Sequence, residues 1–258
     1  MSVRYERTGP VAIVTIDRPE RRNAIDRATA EGLYRAWKEF DADSEARVGI
    51  LTGAGGVFCA GADLVAFDLV ETAEGWLGIC RMSVSKPTIA AVAGPCVAGG
   101  LELALWCDLR VAGAGAFFGC FERRFGVPLA DGGTQRLPRL VGLSRALDMI
   151  LTGRPVPAEE AFRIGLADRL VPPGQELAEA MRLAEAIASF PQDTMRSDRR
   201  AVFAGLGRPL EEGLAFEAEL GRQVAAVAVA GAARFAAGEG RSGAGVVSGG
   251  PPDAGTPA

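Results

Sequence analysis

Glu102 is the residue of this chain whose surroundings most suggest chemistry. It is the one acid in Leu101-Glu102-Leu103-Ala104-Leu105-Trp106, which directly follows Gly99-Gly100. Apolar neighbours on every side predict a buried helix, and a buried carboxyl is costly unless it has a partner or a task. The two glycines open that helix. The first N–H groups of a helix have no intrahelical acceptor and sit at the positive end of its dipole, so an anionic oxygen placed there is stabilised. A plainer reading gives Glu102 only a capping interaction.

Three further stretches could complete a site. The loop Gly53-Ala54-Gly55-Gly56-Val57-Phe58-Cys59-Ala60-Gly61-Ala62-Asp63-Leu64 follows a strand, but Phe58 breaks the G-x-G-x-x-G pattern and no phosphate-loop Lys-Ser/Thr follows. Its functional reading is a second backbone donor near Ala62; its plain reading is a turn in which Asp63 caps the next helix. Glu122 precedes Arg123 and Arg124, which alone describes a solvated, ion-paired turn contributing about 0–1 kcal/mol. Asp131 lies in a glycine-rich bend, either as N-cap of a helix from Thr134 to Val141 or as a site wall.

Composition narrows the chemistry. The 258 residues include no histidine, which removes Ser-His-Asp and Cys-His mechanisms and every histidine-ligated metal, leaving carboxylates as the leading acid–base groups. Five cysteines, Cys59, Cys80, Cys96, Cys107 and Cys120, form no C-x-x-C pair and read as small core residues in a reducing compartment. A net charge of −4 argues against a nucleic-acid partner. No apolar run reaches a membrane span, and Met1-Ser2-Val3-Arg4-Tyr5-Glu6 lacks a signal core, so the expectation is a cytoplasmic protein without a membrane partner.

The elements that must position these residues read as α/β. Val3–Arg7 and Val11–Ile16 alternate as a hairpin around Thr8-Gly9-Pro10. Asp26 caps a helix from Arg27 to Phe40, and Val48–Thr52 is a buried strand, so a right-handed crossover and a parallel sheet follow. Helical pieces are predicted at Leu64–Leu69 and Glu74–Ser83, then a strand at Thr88–Ala93, the Glu102 helix, and strands at Asp108–Ala112 and Ala116–Gly119. From Leu143 onward the pattern is mainly helical: Ser144–Leu151, Ala158–Ile164, Glu176–Ser189, Gln192–Phe203 and one long helix Leu210–Ala230, whose apolar stripe needs a cover. Gly165–Pro172 reads as a helix stop and a strand. Beyond Gly238 the composition collapses to Gly, Ser, Pro and Ala.

Four ordered motifs tie these segments together: Arg18-Pro19 with Arg22-Asn23-Ala24, Phe58-Cys59-Ala60-Gly61-Ala62-Asp63-Leu64, Ala98-Gly99-Gly100-Leu101-Glu102-Leu103, and Asp131-Gly132-Gly133-Thr134-Gln135-Arg136-Leu137. On them the chain, from about Val3 to Gly240, resembles the crotonase superfamily, the enoyl-CoA hydratase/isomerase family. The resemblance implies a crotonase-like spiral of ββα units over residues 1–190 carrying an acyl-CoA site, a C-terminal helical trimerisation region at 191–238 and a disordered tail at 239–258. It implies homotrimers or hexamers, an acyl-CoA thioester as substrate, and no cofactor beyond the coenzyme A of that substrate. By motif position the oxyanion hole is Ala62 and Gly99, the catalytic pair is Glu102 and Glu122, and Arg22, Ala24, Ala60, Asp63, Leu64 and Asp131 line the substrate site. The lysine that relatives often carry just after the Ala-Asp-Leu motif is Val65 here, and Arg22 is the candidate to meet the CoA phosphates in its place. The implied reaction is hydration of a 2-enoyl-CoA. A double-bond isomerase, with Asp131 as a further acid, and a non-catalytic acyl-CoA-binding subunit are the alternatives, while acyl length depends on wall side chains in loops such as Phe67–Ile79.

Overall fold

The structure, a computed structural model, describes residues 2–238; the tail expected at 239–258 lies outside the described residues. The chain divides between Ala188 and Ser189 into two compact units.

In the first unit β1 (Val3–Thr8) and β2 (Val11–Ile16) form the expected antiparallel hairpin, registered from Val3↔Ile16 to Thr8↔Val11. Helix α1 (Arg27–Ala42) begins at Asp26, whose side chain accepts the Thr29 N–H at 2.9 Å. β3 (Val48–Gly53) returns parallel to β2, and β4 (Thr88–Val92) lies parallel to β3. A short β5 (Pro95–Val97) leads into α2 (Gly99–Trp106), followed by β6 (Leu109–Gly113) and β7 (Phe117–Gly119). Helices α3 (Gly133–Val141) and α4 (Leu143–Thr152), β8 (Val156–Pro157), α5 (Ala158–Arg163), β9 (Arg169–Val171) and α6 (Glu176–Ser189) complete the run. The strands make a six-stranded sheet, β1-β2-β3-β4-β6-β9, and a three-stranded sheet, β5-β7-β8.

Side-chain alternation explains the layers. Val48 and Ile50 of β3, Ile89 and Ala91 of β4 and Val111 of β6 face Ala180, Leu183, Ala184 and Ala188 of α6. Leu51, Ala90, Val92 and Ala112 point the other way, into a larger core shared with α1 and α2. Within it Trp37 of α1 meets Phe40 and Trp106 edge-on, with ring centroids 5.3 and 4.8 Å apart, so α1 braces the far end of the Glu102 helix. All five cysteines are buried and unpaired, as core residues should be.

The second unit contains α7 (Gln192–Gly205), α8 (Leu210–Gln223) and α9 (Ala225–Ala236). The single helix expected over Leu210–Ala230 is thus two. It breaks at Val224, a β-branched residue at φ −107° and ψ 11°, where the N–H turns back to the Gly221 carbonyl and the chain restarts. A count of apolar residues does not register that interruption.

The helices predicted at Leu64–Leu69 and Glu74–Ser83 do not form either. Asp63 makes one turn, accepting the Val65 and Ala66 N–H groups, and Phe67 ends it at φ 41°. Farther on, Gly75 sits at φ 100°, and the Trp76 and Leu77 N–H groups are taken by the Asp131 carboxylate 54 residues or more away in sequence. Tertiary hydrogen bonds override a helical spacing here.

Candidate active site

The segment Phe58–Asp63 is stitched on both sides. On one flank the Phe58 N–H donates to the Ala93 carbonyl and the Cys59 N–H to the Pro95 carbonyl, while Val97 donates back to Cys59. On the other, Ile25 donates to the Gly61 carbonyl and Asp63 donates to Ile25. Gly61, at φ 93°, lies so close to the start of α2 that a Cβ on it would stand 2.8 Å from the Gly99 nitrogen. The residue before Ala62 thus abuts the start of α2, and Gly99, as the first residue of α2, has no intrahelical acceptor for its N–H. Ala98, the N-cap, holds φ 53° and ψ −127°, a conformation that costs a residue with a Cβ on the order of 1–3 kcal/mol. Strain is concentrated at the residue that aims the Gly99 N–H.

Glu102 is buried, at 4% exposure, and its Oε1 accepts the N–H groups of Asp131 (2.8 Å) and Gly133 (2.9 Å). It therefore satisfies the start of α3, and the helix N-cap is Gly132 with no side-chain cap bond. The expectation that Asp131 caps this helix is corrected: its oxygens serve Trp76 N–H (3.0 Å) and Leu77 N–H (2.9 Å) instead. With Oε1 committed as an acceptor, any proton on Glu102 belongs on Oε2. Burial pushes the Glu102 carboxyl up, the two N–H bonds pull it back, the charges of Asp131 and Glu122 add to the rise, and the outcome is about 7.

Glu122 opens a 3-10 turn, Phe121–Phe125. The ion-paired, solvated turn that its two arginines suggested is not what forms. Arg124 stacks on the Phe121 ring and donates to the Gly153 carbonyl, and Arg123 reaches the Ile150 carbonyl. Glu122 is 6% exposed, and neither carboxylate oxygen meets a hydrogen-bond partner. Burial raises its carboxyl, against a smaller pull from its own N–H and Arg123.

These residues converge on a cavity of about 360 Å³. Of the residues singled out in the sequence, Ala60, Ala62, Asp63, Leu64, Gly99, Glu102, Glu122 and Asp131 line it. Arg22 and Ala24 do not; they lie behind the loop, where the Arg22 carbonyl accepts the Ala60 N–H and the Ala24 carbonyl accepts from Arg18. Arg18 also pairs with Asp26 at 2.9 Å and Asp63 at 3.1 Å. Burial would raise the Asp63 carboxyl, but the N–H groups of Ala66 and Val65 and the Arg18 guanidinium outweigh it and hold it below the usual carboxylate range. The Phe67–Ile79 loop does contribute wall side chains, among them Phe67, Trp76 and Leu77, whereas Phe121, Phe125 and Val127, which line the cavity beside them, carry no site role in the sequence reading. Their only sequence signal is a run of large apolar residues in segments without regular period. Burial pushes the thiols of Cys59 and Cys120 up to about 12, so they stay protonated and are poor nucleophiles.

Ala62, Gly99 and the two buried carboxyls Glu102 and Glu122 thus line one apolar cavity on a fold of stacked β and α turns, an architecture that known proteins share. The chain belongs to the enoyl-CoA hydratase/isomerase family, whose profile matches residues 6–237. It is 40% identical over 221 residues to a probable enoyl-CoA hydratase of Rhizobium meliloti, covering 83% of this chain and 86% of that one. It is 38% identical to the short-chain-enoyl-CoA hydratase of Clostridium acetobutylicum, covering 84% and 87%. Among solved structures it superposes on enoyl-CoA hydratase EchA1 from Mycobacterium marinum with a TM-score of 0.88 at 36% identity, covering 91% of this chain and 95% of that one.

Proposed function

We propose that this protein is an enoyl-CoA hydratase that adds water across the 2,3 double bond of an acyl-CoA thioester. The observation that carries the reading is the presence of two buried carboxyls, Glu102 and Glu122, on the same cavity as Ala62 and Gly99, where the Gly61 backbone abuts Gly99. Donation from the Ala62 and Gly99 N–H groups to the thioester oxygen stabilises the enolate-like charge that develops there, and losing one donor of such a pair costs about 2.7–4 kcal/mol elsewhere.

The two acids take different parts. Glu102, in its ionised form, accepts a water proton on Oε2 while the hydroxyl oxygen bonds to the β-carbon. Glu122, in its protonated form, gives its proton to the α-carbon, so one molecule of water is added in sum and the two carboxyls re-equilibrate through solvent; burial, which raises both carboxyls, favours such proton exchange. The substrate supplies the coenzyme A, and no other cofactor enters this scheme. Asp131 has both oxygens engaged by backbone N–H groups, which favours hydration over an isomerase that needs it as an acid.

Assembly into a homotrimer or hexamer is part of the same reading. Exposed apolar side chains on the C-terminal helices, such as Leu210, Leu214, Val229 and Phe235, support it. Purified protein mixed with a short 2-enoyl-CoA should bleach the conjugated-enoyl absorbance. A 3-enoyl-CoA incubated in heavy water separates hydration from double-bond migration by product mass, and tight binding without turnover of either compound would leave only the binding-subunit reading.

A further inference from the structure

The wall of the cavity between residues 71 and 82 has no regular secondary structure, yet it is tied at several points to the segment that holds Glu102. Asp131 is central to those ties. It is 2% exposed, its two oxygens accept the Trp76 and Leu77 N–H groups, and its own N–H donates to Glu102 Oε1. Gly75 gives way to it: a Cβ there would stand 2.1 Å from Asp131 Oδ1, and the residue adopts φ 100°. Arg136 repeats the tie by donating to the Asp131 and Cys80 carbonyls, and Arg81 donates to the Ala130 carbonyl. At the other end of the wall, Leu77 packs against Gly99, where a Cβ would lie 2.8 Å from Leu77 Cδ1.

We infer that Asp131 is a positioning residue that locks the Trp76–Leu77 wall to the Glu102 carboxyl, so that one buried carboxylate fixes both the direction of the acid and the size of acyl group admitted. The two jobs are inseparable because the same residue offers its backbone N–H to Glu102 and its side chain to the wall. Rigid mutual placement matters, since a shift of about 1 Å between a reacting group and substrate lowers rates by about a hundredfold. An acyl group of limited length is the favoured substrate while the wall stays in place, and a longer one gains access when it is released. This rests on the hydratase reading for its kinetic arm, but not for its spectroscopic one.

The test compares wild type with Asp131→Asn and Gly75→Ala. Asn keeps one acceptor and sets an N–H group against the second backbone donor; Ala at position 75 presses on Oδ1 from the wall side. Trp37 and Trp106 are buried, so Trp76 is the tryptophan open to an added quencher. In both variants its quenching should increase while far-ultraviolet dichroism is unchanged. With a short and a long 2-enoyl-CoA, kcat on the short substrate should fall about tenfold or more, and the short-to-long ratio of kcat/KM should fall with it. Unchanged quenching and an unchanged ratio in folded variants would overturn the inference, even where Tm drops. If wild type turns over neither substrate, the hydratase reading fails on its own, and the quenching result still decides whether Asp131 holds the wall. Should Asp131→Asn not fold, Gly75→Ala carries the same two readouts.

Discussion

The two sides of the cavity are built by different means. The donor side, residues 58–63 and 95–102, is a strand-like segment bridged to its neighbours and a helix start, so backbone hydrogen bonds place Ala62 and Gly99. The wall side, residues 64–82 and 121–131, has one short 3-10 turn and is held by side chains reaching across: Asp131, Arg136, Arg124 and Trp106, whose indole N–H donates to the Met82 carbonyl. A backbone-built surface barely depends on side-chain identity beyond its glycines, which suits the thioester oxygen that every substrate presents. A side-chain-built surface can be re-cut residue by residue, which suits an acyl group that varies.

The sharpest challenge to this division is to remove chemistry from each side in turn. Glu102→Gln and Glu122→Gln should each lower kcat by about 10²–10⁴-fold, the range expected when a general acid or base is lost. Absorbance assays on saturating substrate would check this, and a Glu122→Gln enzyme at wild-type rate would sink the two-acid mechanism. In wild type, the acid limb of the kcat/KM profile should turn near pH 7 with activity falling as pH drops, because Glu102 must be ionised to take the water proton. Next in size is Gly61→Ala, which drives a Cβ toward the Gly99 nitrogen and the Ala98 side chain. A loss of about 10²-fold in kcat, with the preference among acyl lengths unchanged, is expected if the donor side serves all substrates alike. A changed preference would break the comparison.

Glu102 also permits a stability prediction of opposite sign to its effect on rate. Its folded carboxyl lies at about 7 against an ordinary value of 4.5, so the folded state holds a proton that the unfolded chain releases over that interval. Stability therefore declines as pH rises from about 4.5 to 7, and above 7 the full cost, on the order of 2–4 kcal/mol, is present. Gln at this position keeps a carbonyl acceptor for the Asp131 and Gly133 N–H groups and carries no charge. Glu102→Gln should melt several degrees above wild type at pH 8 and show little advantage at pH 5, as calorimetry at the two values would reveal.

The same contrast explains what could be read in the sequence. The hairpin, α1 with its Asp26 cap, the parallel strands and the Glu102 helix follow local rules, namely alternation, capping and glycine placement. The close backbone approach of Gly61 and Gly99, and the place of Ala62 and Gly99 on the cavity, were legible because glycines mark such approach. The Phe67–Ile79 loop was legible as wall but its conformation was not, because its bonds are long-range: Trp76 and Leu77 satisfy their N–H groups 55 and 54 residues away, so a helical spacing in 74–83 had no helix to report. Glu122 shows the limit from the other direction. Two adjacent arginines suggested solvent, and only the fold turns them to the Gly153 and Ile150 carbonyls and leaves the carboxyl in the cavity.

The smallest effect concerns the strain at Ala98, which separates tolerance from purpose on the donor side. Glycine adopts φ 53° and ψ −127° without a Cβ penalty, so Ala98→Gly removes a cost of about 1–3 kcal/mol from the folded state. It also gives the unfolded chain more freedom, which takes back about 0.4–1 kcal/mol. The net expectation is a gain of about 1 kcal/mol by denaturant titration. Because the Ala98 N–H still donates to the Gly119 carbonyl, and its carbonyl still accepts from Leu101 and Glu102, the direction of α2 is retained. The rate should then stay within about threefold of wild type, in keeping with a donor side set by backbone pairing. A large fall in kcat alongside the gain in stability would mean that the Ala98 methyl, wedged against Gly61, is itself needed to hold the two N–H groups at their working separation.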